Sequence, residues 1–395
     1  MIRQVWRIDR RTCLQPLPLL GIDSILSRKP LQEKGLCPEE ESLMSAEHHQ
    51  TFVYAGLAGE GEYIGAGGLY RYATDNGEWQ SLTKGLPPNP QVRALLMHPQ
   101  NPAILYAGTN KGPYRSDDRG EHWTALEAPP QGTDGWSLAF HPHDANIIYA
   151  GYEPCAIYRS EDGGEHWKRM NTEKVVFPHI TSYMPPLGKR VIGMAADPSD
   201  PQDMYAAIEV GGLLASRDGG ESWESITDGL YIRNNTVDLH GVQVSPAAPG
   251  TVFIITQVAM FRSRHRGRHW EHVQIDEMFP GGSYCRGVLV APNDPSTIYL
   301  AAGAGGGGAP KGTQEAGALF RSRDIGETWE RVDIGDTPPS RMAQIAIDRA
   351  NPSHIYCCAM HGQVYGSQDG GQTWQKSQLP AETMRSRRIY AMVCG

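Results

Sequence analysis

The octet SEDGGEHW, residues 160–167, recurs as SDDRGEHW (116–123), SRDGGESW (216–223), SRDIGETW (322–329) and SQDGGQTW (367–374). A degraded copy, SRHRGRHW, occupies 263–270, and a shortened echo, ATDNGEW, occupies 73–79. Self-similarity of this kind constrains the fold more than any single residue. Each repeat must be one supersecondary unit that buries its apolar face only against its neighbours. From Trp79 to Trp374 the intervals between successive repeat tryptophans are 44, 44, 56, 47, 59 and 45 residues. Roughly 44 residues is the length of one four-stranded propeller blade.

Aligned on the tryptophan, the repeats share four short runs of β-branched, aromatic and small residues, separated by Gly, Pro, Asn or Asp. Residues 92–124 show them best, as VRALLMHP, ILYAGT, GPYRSDD and HWTAL. That pattern predicts strands joined by turns, A to D from the axis outward. Strand A recurs as WSLAFHP (136–142), VIGMAADP (191–198), LHGVQVSP (239–246), CRGVLVAP (285–292) and RMAQIAID (341–348). The first repeat has none before TFVYAG, and the missing copy stands at the far end as RRIYAMV (387–393). The fold expected is therefore all-β: a seven-bladed β-propeller of four-stranded antiparallel blades over 51–395, closed by the C-terminal strand pairing into the first blade. Closure removes the sheet edges that an open array exposes. Residues 1–50 match no part of the repeat and are expected to be a flexible extension, with Met44 as an alternative start.

The octet falls at the C-to-D turn. There Asp can accept from nearby backbone amides, Gly can take a positive φ without steric cost, and Trp can pack between sheets. Asp118, Asp162, Asp218, Asp324 and Asp369 are accordingly structural carboxylates, not acid–base catalysts.

These octets resemble the BNR or Asp-box repeat of sialidases, sortilin-type receptors, xyloglucan-hydrolysing enzymes and the photosystem II assembly factor of chloroplasts and cyanobacteria. The resemblance spans about residues 51–395 and implies a propeller; its members include enzymes, receptors and an assembly factor, so it implies no single activity. Sialidases of this type are six-bladed and carry Arg-Ile-Pro before their first box, which this sequence lacks. The xyloglucan hydrolases use a cleft between two tandem propellers, against the one ring counted here. Neither activity carries over residue by residue.

The net charge of −8, from 36 Lys+Arg against 44 Asp+Glu, gives no electrostatic basis for nucleic-acid or anionic-membrane binding. Seven cysteines without a Cys-x-x-Cys pair suit a reducing compartment, so a cytoplasmic monomer is expected. Cys357 and Cys358, adjacent on a strand, should face opposite sides.

The longest insertions, 171–190, 227–238 and 301–317, extend D-to-A or B-to-C connections, which share the face opposite the octets. On that face strand-A starts supply Arg93, Trp136, Arg190, His240, Arg286, Arg341 and Arg388, and strand-B ends supply Lys111, Glu153, Glu209, Gln257 and His361. His179, on the largest insertion, could reach over the same mouth. Guanidinium groups pair bidentately with carboxylate, sulfate or phosphate, so an anionic small molecule or acidic saccharide is the expected ligand. Glu209 or Glu153, with His240, would then serve as general acid or base. No cofactor is predicted, although His240, His361 and Glu209 could alternatively hold a divalent cation. Two functions fit: a carbohydrate-active enzyme of hydrolase or lyase type, or a non-catalytic scaffold that holds a partner's acidic segment.

Overall fold

Seven separate four-stranded patterns become seven sheets. The computed structural model describes residues 50–59, 67–127, 134–177, 188–230, 237–275, 283–304, 314–385 and 387–395; the N-terminal extension and His179 lie outside them. From the innermost strand outward, blade I runs Arg388–Cys394, Phe52–Ala58, Gly67–Ala73 and Trp79–Ser81. Blade II begins with Val92–Met97, blade III with Asp134–His141, blade IV with Arg190–Asp197, blade V with Leu239–Val244, blade VI with Ser283–Val290 and blade VII with Met342–Ile347. Within blades II to VII each strand pairs antiparallel with the next in sequence. Blade I is the exception that closes the ring: the last strand pairs antiparallel with the first, Val53 opposite Cys394 and Ala58 opposite Arg388.

Burial follows position. Second strands such as Leu105–Thr109 and Val252–Thr256 are buried along their whole length, whereas outer strands such as Thr124–Ala125 and Lys168–Arg169 are exposed. A second strand has a sheet against each face, so its sequence reads as a continuous apolar run. Apolar clusters fill the gaps between neighbouring blades, Trp123 joining that of blades I and II, and Trp329 that of V and VI. Cys357 packs between blades VI and VII and Cys358 between VII and I, on opposite faces of one strand.

Blade IV departs from the four-stranded pattern. Asn171–Lys174, expected to begin a loop, adds a fifth strand parallel to Ser222–Ser225.

The octet is a hydrogen-bonded turn. Ser116 Oγ donates to Asp118 Oδ1 at 2.9 Å and accepts from Gly120 N–H at 2.9 Å. Asp118 Oδ1 also accepts from His122 N–H, and Trp123 Nε1 donates to the Gly120 carbonyl at 3.0 Å. The Ser–Asp and Ser–Gly bonds recur at Ser160, Ser216, Ser322 and Ser367. The octet is also a latch between blades: its fourth residue offers a carbonyl to a tyrosine of the preceding blade, Tyr54 to Arg119, Tyr106 to Gly163 and Tyr149 to Gly219. Where Asp is replaced by His265, Ser263 still holds Gly267 N–H.

Candidate functional site at the ring axis

Every innermost strand carries one residue too many. In each blade the register with the second strand slips at the equivalent place, and in blades III and IV it slips a second time at Phe140/His141 and Ala196/Asp197. The unpaired residue is Tyr390 in blade I, then Arg93, Trp136, Ile192, His240, Arg286 and Ala343 in blades II to VII. A β-bulge bends its strand and re-aims a side chain. Contacts that skip a blade reveal the direction. Trp136 of blade III meets Tyr390 of blade I edge to face, centroids 5.9 Å apart, and the Arg286 guanidinium of blade VI lies 5.7 Å from the same ring. Side chains of non-adjacent blades meet only across the axis.

A small residue follows the bulge in most blades: Ala391, Ala94, Ser137, Gly193, Gly241 and Gly287, with Gln344 in blade VII. In blade VI the reason is steric: a Cβ on Gly287 would collide with the Ala343 carbonyl of the next blade.

Cations and rings alternate around the axis. Trp136 carries the guanidinium groups of Arg93 and Arg190, each 4.4 Å from its centroid. Tyr284 stacks on His240 at 4.8 Å and carries Arg341 at 4.3 Å and Arg286 at 5.7 Å. Such contacts are worth about 0.5–2 kcal/mol each, most where water is excluded. Ion pairs complete the cluster: Arg190 Nε donates to Glu153 at 2.6 Å and its Nη1 to Glu209 at 2.8 Å. Arg93 pairs with Asp134 at 3.1 Å and with Gln91, Arg341 lies 3.5 Å from Glu315, and Arg388 donates to the Arg387 carbonyl.

The seven residues expected at strand-A starts stand at two levels relative to the bulges. Arg93, Trp136, His240 and Arg286 are the bulged residues, while Arg190, Arg341 and Arg388 precede their bulges by two positions, level with Gln91, Asp134, Asp238 and Tyr284. Of these, Asp134 offsets part of the positive charge by pairing with Arg93. Tyr284, Tyr390 and both aspartates were missed by sequence alignment; aligning the strands on the small residue after the bulge would have found Tyr390.

The other expected residues have definite places. Lys111 is exposed in a tight turn, its N–H on Thr109 Oγ1. Gln257 is buried and its N–H donates to the Asp238 carbonyl, and His361 N–H donates to Ser340 Oγ. Among the described residues Glu209 and His240 group with Asp238, and not with His361, as atoms able to share one ion.

Burial, opposed by Asp134, lowers the Arg93 pKa, whereas Glu209 and Glu153 outweigh the burial of Arg190 and raise its pKa. Burial, with Arg286 alongside, pushes His240 down to about 3, so the imidazole is neutral at pH 7. Glu153 and Glu209 share one cation, the Arg190 guanidinium.

No family model matches the chain. It is 24% identical, over 78% of its length, to a probable oligoxyloglucan-reducing end-specific xyloglucanase of Neosartorya fischeri, of which it covers 45%. Over 46% of its length it is 29% identical to a xyloglucanase of Acetivibrio thermocellus, of which it covers 25%. The chain thus spans less than half the length of these relatives. Among solved structures it superposes on the GH74 xyloglucanase of Xanthomonas campestris with a TM-score of 0.55 at 21% identity, over 76% of this chain and 46% of that one. YCF48 bound to D1 peptide gives 0.50 at 17% identity, over 80% and 91%. Likeness at these identities shows the propeller fold.

Proposed function

We propose that this chain is a carbohydrate-active propeller, hydrolase- or lyase-like, that takes an anionic small saccharide against the axial cluster. The observation that carries the reading is the grouping of Tyr284 and Tyr390 with Arg286 and Arg341 at the axis. Aromatic faces suit the apolar face of a sugar ring, and guanidinium groups suit its carboxylate. The xyloglucanase names of the curated relatives support a saccharide. Glu153 and Glu209, gathered on Arg190, are the carboxylates available for acid–base work.

A second reading has its own support. Both carboxylates are paired with one guanidinium rather than left open to a substrate, which favours a non-catalytic scaffold that holds a partner's acidic segment.

The test is calorimetric titration of the full chain in EDTA with oligogalacturonate, sialic acid and neutral xyloglucan oligosaccharide. Acidic-sugar binding that Arg286→Ala weakens at least tenfold, together with turnover that Glu209→Gln abolishes while binding persists, is the expected result. Binding of the neutral oligosaccharide alone keeps the carbohydrate reading and overturns the anionic one. No sugar binding, with salt-sensitive binding of a poly-glutamate peptide, overturns both in favour of the scaffold.

A further inference from the structure

Beside the arginine–aromatic cluster, at the junction of blades IV and V, stand three groups of which the saccharide reading uses only Glu209. Glu209 ends the second strand of blade IV, and Asp238 and His240 open the innermost strand of blade V. One ligand atom from each lies within 4.8 Å of the others.

His240 decides what the group is for. Its Nδ1 lies 2.6 Å from the Cys285 carbonyl oxygen. A carbonyl only accepts, so Nδ1 carries the hydrogen, and in the neutral ring Nε2 is left as a lone pair. That Nε2 is buried, makes no hydrogen bond and stands 3.8 Å from Asp238 Oδ2. The His240 side chain is 1% exposed and that of Asp238 4%. An acceptor therefore faces a carboxylate where water does not reach, an unfavourable arrangement unless a cation lies between them.

The surroundings fit a metal ligand. An imidazole N–H held by a backbone carbonyl is the usual support of a ligating histidine, since it fixes tautomer and ring orientation. Tyr284 stacked on the ring fixes it further. Val210 N–H donates to Asp238 Oδ1 at 3.3 Å, and Arg190 takes Oε2 of Glu209. An N···O separation of 3.8 Å suits two donors at about 2.0–2.2 Å from one ion.

We infer that Glu209, Asp238 and His240 form a binding site for a divalent transition-metal ion of the zinc class. The imidazole argues against magnesium and calcium, which prefer all-oxygen shells. Two carboxylates and a neutral imidazole balance a dication, and three protein ligands is the number that leaves a position open to water or a substrate oxygen. Arg286 and Arg341 beyond Tyr284, with Arg190 on Glu209 and Lys189 on the Val210 carbonyl, moderate the affinity.

The test uses the full chain, stripped with EDTA and titrated with Co²⁺, read by visible absorption and by equilibrium dialysis with elemental analysis. It reads metal alone and so is independent of any sugar. Expected is one ion per chain with d–d bands that Zn²⁺ abolishes. Asp238→Asn and His240→Gln should each weaken that binding at least tenfold, and His361→Gln should leave it unchanged. Glu209→Gln, nearer the surface, serves the same purpose if either buried variant fails to fold. Absence of a saturable ion, or a spectrum that survives these substitutions in folded protein, overturns the inference.

Discussion

The indole of Trp136 touches the phenol of Tyr390 at 5.9 Å, although a whole blade separates their strands. Their bulges turn one side chain from each blade into the ring, so the axis is bridged by side chains. Trp136 is 8% exposed, with two guanidinium groups 4.4 Å from its centroid. Trp136→Ala should cost about 3–5 kcal/mol in denaturant unfolding. Its cycle with Tyr390→Ala should show a coupling of about 0.5–1.5 kcal/mol. Strict additivity would mean that the two rings do not act together.

Arg190 holds two carboxylates that would otherwise repel each other. Arg190→Met is expected to destabilise the fold at neutral pH by about 3 kcal/mol, because it leaves partly buried charge uncompensated. Adding Glu209→Gln should restore a measurable part of that loss. If the double variant is no more stable than the single one, repulsion between Glu153 and Glu209 is not the cause.

Gly220, in the octet of blade IV, has a φ of +86°. A Cβ there would stand 2.7 Å from Tyr149 Cε1 of blade III. Both facts point the same way: Gly220→Ala combines a left-handed backbone with a steric clash and should lower stability by about 1–3 kcal/mol. Melting of the variant within a degree of the parent would refute the latch role given to this turn.

The octet carboxylates set a pH dependence. The His166 backbone N–H, the His166 imidazole and the Ser160 hydroxyl hold the Asp162 carboxyl down at about 2, and the Thr373 hydroxyl and N–H hold Asp369 lower still. A folded-state pKa below the unfolded value of about 3.9 contributes stability that is complete above pH ~4 and lost as pH falls through the folded value. His166 has the opposite sign. The Asp162 carboxylate raises its pKa, so its share is present below pH ~6.5 and disappears as pH rises. The slope of melting temperature against pH between about 4 and 2 should be shallower in Asp162→Asn than in the parent; equal slopes would exclude the assignment.

The ring is closed by backbone pairing of Arg388–Cys394 with Phe52–Ala58. Removal of residues 388–395 exposes the edge of blade I and takes Ile389, Met392 and Cys394 out of the cluster it shares with blade VII. The truncated chain is expected to aggregate, or to lose its single cooperative unfolding transition. A soluble product with an unchanged transition would show that the pairing is dispensable.

Sequence alone determined the architecture. The octets, their spacing and the displaced RRIYAMV segment specify blade number, strand order and closure, because repeat length, turn chemistry and strand pattern are local properties written into each repeat. Sequence also located the face of the ring where Arg93, Arg190, Arg286 and Arg341 gather. It did not separate residues aimed at the axis from those two positions earlier, because a one-residue bulge is invisible in an alternating pattern until the partner strand is paired. Tertiary structure alone decided that Tyr390 meets Trp136, that Asp134 pairs with Arg93, and that Asp238 rather than His361 joins Glu209 and His240. Those relationships join residues from different blades, and their distances are fixed by how the blades close into a ring.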